Sequence, residues 1–85
     1  MLKKEAVFNA AACVTPDLAA KLANTAAQFG ADVYLECNNV RLCVDSLISI
    51  LAMELRRGGK LVITAEGDDE KAAVEAIHAV LTGEN

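Results

Sequence analysis

The sequence predicts a two-layer α+β domain: a four-stranded antiparallel sheet with helices on one face, in the order β-α-β-β-α-β-α. Three observations carry this. "DVYLEC" and "VRLCVD" alternate with period two around Asn38-Asn39. Residues 16–29 and the stretch "GDDEKAAVEAIHAVL" repeat apolar residues at helical spacing. The hairpin has one uniformly apolar face, which helices must cover.

The elements follow in order. Residues 2–8 alternate loosely and read as a short strand, and 9–14 as a loop of small residues. In the first helix Leu18, Leu22, Ala26 and Phe29 form the inner stripe, widened by Ala19 and Ala23. Thr15 is a natural N-cap, Pro16 suits the first helical position, and Gly30 is expected to end the helix. A two-residue hairpin turn pairs Cys37 with Val40, Glu36 with Arg41, Leu35 with Leu42 and Tyr34 with Cys43. Val33, Leu35, Cys37, Val40, Leu42 and Val44 then share the covered face. Tyr34, Glu36, Arg41 and Cys43 share the open one, with Glu36 and Arg41 as an opposite-charge pair. Ser46 opens a middle helix, "SLISILAMEL", which Gly58-Gly59 stop. "KLVITAE" is the fourth strand. Asp68 or Asp69 caps the last helix, whose inner stripe is Ala73, Ile77, Val80 and Leu81.

Composition excludes several classes. The chain has 85 residues, read as a single domain over 1–85, and a net charge of −4. No basic cluster exceeds Arg56-Arg57, which argues against nucleic acid as the main partner. Three cysteines without a C-x-x-C, and one histidine far from them, fit a reduced chain without a structural metal. "MLKK" before "AVFNAAAC" faintly suggests an export signal ending at Cys13, but Glu5 and Asn9 interrupt its apolar run. No segment is long enough to span a membrane, so no membrane insertion is expected, and the cytoplasm is the expected location.

The catalytic inventory is nearly empty. There is no phosphate-cradling glycine loop, metal constellation or nucleophile motif, and no cofactor is expected. His78, on the last helix, reads as a solvent-facing residue rather than a general base. Cys43 reads as an unreactive thiol on the open face. Ser46 is a stronger candidate, because a helix N-cap offers free N–H groups and a positive dipole end to a phosphoryl group. Plain capping is its simpler reading. The middle helix carries two apolar arcs: Leu47, Ile48, Leu51, Ala52 and Leu55 on one, Ile50 and Met53 on the other. A helix lying on a sheet buries one arc. The other is either wedged between neighbours or free to dock a partner.

From residue 1 to about 82 the chain resembles HPr, the histidine-containing phosphocarrier family of the bacterial sugar phosphotransferase system. The most telling stretch is "KLVITAEGDDEKAAVEAI", supported by "AAQFGADVYLE" and "DSLISILAMEL". The resemblance implies the family's open-faced β-sandwich, with the sheet covered on one face by three helices. It also exposes a mismatch. The family carries "H-x-R-P-A" at the start of the first helix, where this chain reads Thr15, Pro16, Asp17, Leu18, Ala19. Threonine has no imidazole nitrogen, and its hydroxyl needs a base that the motif does not supply. Asp17 repels an incoming phosphate and occupies the dipole that would hold it. Only Lys21 remains basic on the outward face of this helix.

Ser46 does match the family's regulatory serine, although Asp45 stands where lysine is frequent. The resemblance also implies that Leu47, Ile48 and Leu51 face outward and contact partners, while Ile50 and Met53 pack inward. The resulting expectation is a regulatory or docking module, not an enzyme, switched by phosphorylation at Ser46. Its implied partners are proteins: an HPr kinase, a transcriptional regulator or a phosphotransferase component. Two alternatives stand beside it. One is a phosphocarrier with Thr15 as acceptor. The other is an assembly protein that keeps only the fold and forms a homo-oligomer through the Leu47/Ile48/Leu51 face.

Overall fold

A computed structural model describes residues 1–37, 39–44, 50–51 and 55–83. The strands are β1 (Leu2–Val7), β2 (Asp32–Cys37), β3 (Val40–Cys43) and β4 (Lys60–Glu66). The helices among the described residues are two, α1 (Pro16–Ala27) and α2 (Glu70–Thr82), where the sequence predicts three. The predicted middle helix lies largely outside the described residues, as do Asp45, Ser46, Leu47, Ile48, Ala52 and Met53 within it and before it.

The sheet is fully antiparallel, in the order β1-β4-β2-β3. The hairpin register is the expected one, Cys37 opposite Val40 through Tyr34 opposite Cys43. Asn39 takes φ +65°, the left-handed conformation a tight turn demands and asparagine tolerates. β4 lies between β1 and β2 and is buried over most of its length. Leu61, Ile63 and Ala65 face the helices and are almost fully buried. Each buried leucine or isoleucine contributes about 2 kcal/mol.

The core is aliphatic around a single buried ring, Phe8. The α1 stripe of Ala19, Leu22 and Ala26 is buried, with Leu18, Ala23 and Phe29 half-buried beside it. On α2, Ala73, Ile77, Val80 and Leu81 are buried as expected, joined by Val74.

Four expectations need correction. Val40 belongs to the covered face by alternation, yet it is 52% exposed, because it starts the edge strand β3 beyond the reach of the helices. Arg41 does not form an ion pair with its partner Glu36. Its guanidinium carbon lies 4.2 Å from the centroid of the Tyr34 ring, one diagonal away across the ladder. Gly30 is not a left-handed cap: α1 ends at Gln28 in right-handed conformation (φ −77°), where Gln28 N–H donates to the Thr25 carbonyl and Phe29 N–H to the Ala26 carbonyl. Leu55 is buried although the wheel places it on the arc of exposed Leu51. At Leu55 the chain is no longer helical, so the wheel does not apply there.

Asp69 supplies the most informative departure. It stands at the N-cap of α2, but its side chain makes no capping hydrogen bond. Its carboxylate instead accepts from the N–H groups of Gly30 and Ala31, both at 2.8 Å. The residue that looked like a local cap clamps the turn between α1 and β2.

Candidate functional site

The candidate site is the start of α1 and the loop leading into it. Phe8 N–H donates to Gly59 O at 2.9 Å, and Gly58 N–H donates to Phe8 O at 2.8 Å. Arg57 N–H donates to Ala12 O at 3.1 Å, and Cys13 forms a single antiparallel bridge with Arg56. On the other side, Asn9 and Ala10 N–H groups both reach Leu81 O, at 3.0 and 3.1 Å. The loop is thus held between residues 56–59 and the end of α2. Its backbone partners set the exposed Arg56 and Arg57 beside it. Composition showed these two arginines only as a short basic pair; their place emerges from pairing between residues far apart in sequence.

Thr15 caps α1 as expected. Its backbone is extended (φ −106°, ψ 162°), and its hydroxyl accepts from Leu18 N–H at 3.2 Å. Thr15 O accepts from Ala19 N–H at 2.9 Å. Pro16 has no N–H to give. Of the donors in this first turn, only that of Asp17 itself is left, and Asp17 carries a carboxylate. A helix start can hold an anion when its N–H groups are free and its dipole is unopposed. Neither condition is met here. Thr15→Ala should lower stability by about 1 kcal/mol, read as a urea midpoint shift at constant slope.

Lys21 is exposed one turn after Asp17, at i+4 spacing. His78 does not face open solvent as expected. It is half-buried on α2 and lines an open cleft of about 890 Å³ with Glu5, Glu36 and Lys60, a lining that does not include Thr15. No base therefore approaches Thr15 from that cleft. Among the described residues, no group of His, Cys, Asp and Glu is arranged to hold a metal ion. Cys13, Cys37 and Cys43 are not joined in disulfides.

Of the expected docking residues, Leu51 is 41% exposed while the adjacent Ile50 is 1% exposed. Ser46, Leu47 and Ile48 fall outside the described residues.

The fold is that of a small open-faced α+β sandwich. The sequence profile for the PTS HPr component phosphorylation site matches residues 4–82, and the chain belongs to the HPr family. Solved structures agree. HPr-C-His from Thermoanaerobacter tengcongensis superposes with a TM-score of 0.89 at 22% identity, over 100% of this chain and 98% of that one. The phosphocarrier protein HPr from Bacillus anthracis str. Ames gives 0.88 at 25% identity, over 94% and 95%. The catabolite repression protein Crh of Bacillus subtilis, described as a domain-swapped dimer, gives 0.77 at 22% identity, over 95% and 93%. Among the described residues no helix is long and apolar enough to cross a membrane.

Proposed function

We propose that this HPr-family chain does not relay phosphate through histidine and works as a regulatory docking module, with Ser46 as its modification site. The observation that carries the reading is the state of the α1 start. The Thr15 hydroxyl caps Leu18 N–H, and Asp17 supplies the negative charge that a phosphate would bring. A carrier site needs a nucleophile with a basic lone pair and a receptive helix terminus. Leu51 is the described residue of the face that the family resemblance assigns to partners, and it is exposed. Partners of the phosphotransferase type follow from family membership, and self-association is the competing use of the same face.

The test is intact mass after two incubations. With phosphoenolpyruvate and the general phosphotransferase enzyme, no mass increase is expected. Labelling that disappears in Thr15→Ala would establish an unusual acceptor and overturn the reading. With HPr kinase and ATP, one phosphate is expected on the wild type and none on Ser46→Ala. No phosphate on the wild type removes the switch, and equal yield in the variant misplaces it.

A further inference from the structure

Among the described residues, β1 closes one edge of the sheet and pairs with β4 alone. Alternate N–H and C=O groups along Leu2–Val7 therefore point away from the sheet, available to another strand. Beside this edge, between β1 and α2, runs a groove of about 310 Å³. Its apolar floor is half-buried Leu2 and buried Val74. Its rim carries Lys3 and Lys4 on the strand and Lys71 on the helix, all exposed. These are three of the chain's eight basic residues. Of the two carboxylates in the lining, Glu70 is engaged by the Met1 ammonium at 3.1 Å, which leaves Glu75. A chain of net charge −4 thus presents a positive rim at this groove.

We propose that the β1–α2 groove docks an extended acidic segment of a partner protein, added to the sheet as a strand outside β1. An added strand takes its affinity from main-chain hydrogen bonds and its specificity from pockets for alternate side chains. Here every second side chain of the segment turns toward the helix layer, where Leu2 and Val74 offer an apolar seat. Carboxylates two positions from that side chain, on the same face, meet Lys4 and Lys71, and those at odd spacing, on the opposite face, meet Lys3. Lysines on an edge strand also discourage unwanted pairing. That role accounts for Lys3 and Lys4, but for neither the apolar floor nor Lys71 across the groove. The site is separate from Leu51 and stands independently of the Ser46 reading.

The experiment is a titration of the ¹⁵N-labelled full chain with an end-capped peptide, Asp-Asp-Val-Leu-Val-Asp-Asp. Saturable amide shifts confined to Leu2–Val7 and Glu70–Glu75 are expected. Lys71→Glu, on the exposed helix surface, should weaken binding about tenfold with an unchanged melting temperature. A peptide with lysine in place of aspartate should not bind. Absence of saturation at millimolar peptide, shifts centred on Leu51, or equal binding of the basic peptide would each overturn the proposal and leave edge protection as the role of these lysines.

Discussion

Gly67→Ala should destabilise the protein by about 3 kcal/mol, the sum of a strained backbone and a steric clash. Gly67 has φ +153°, a conformation that side-chain-bearing residues rarely adopt. A Cβ there would lie 2.7 Å from Ala31 Cα, and this obstacle is main chain that cannot rotate aside. Accommodating it means separating the start of β2 from the turn after β4, with Ala31 buried between them. Urea denaturation should show a lower midpoint with an unchanged slope. Gly58→Ala is the internal comparison. Gly58 also has a positive φ, +86°, but nothing lies within 4 Å of its Cβ position. Only the conformational cost remains there, about 1 kcal/mol. Equal losses at the two sites would show that the close approach to Ala31 is unimportant.

Asp69→Ala should cost about 2–3 kcal/mol, and Asp69→Asn should recover part of it. Both carboxylate oxygens accept backbone N–H groups, from Gly30 and Ala31. Charge-assisted bonds of this kind are stronger than neutral ones. Removing the carboxylate leaves the N–H of buried Ala31 without its acceptor, and the penalty for an orphaned buried donor adds to the lost bond. Asparagine keeps one acceptor oxygen. Hydrogen exchange locates the effect: Gly30 and Ala31 amides should lose protection in Asp69→Ala before those of β4. A loss confined to the first turn of α2 would mean that Asp69 acts as a local cap after all.

These two residues also mark where the sequence stopped being legible. Local chemistry could be read directly. Thr15-Pro16 announced the start of α1, and period two with Asn38-Asn39 gave the hairpin register residue by residue. Such signals need only neighbouring residues. Asp69 looked like a cap because a cap is the local use of aspartate at a helix start. Its true partners are 38 and 39 positions away, and no local pattern reports them. Val40 failed for a related reason, since alternation assigns a face but not the distance from the covering helices. The candidate site was legible as a family position with altered residues. What the sequence could not supply was that residues 56–59 hold the loop before it.

The clamp has a consequence for how the protein is made. A growing chain emerges from its N-terminus, yet its early segments wait for late ones. Among the described residues, β1 has β4 as its only strand partner, the loop after β1 hangs from Leu81, and the turn before β2 is fastened by Asp69. The Asp32–Cys43 hairpin alone can pair within itself. Everything else depends on contacts whose closure is slow because the intervening loops are long. Completion during synthesis is therefore withheld until the segment from Asp69 to Leu81 has left the ribosome. A nascent chain stalled before Asp69 should remain sensitive to protease, and one extended past Leu81 should become resistant.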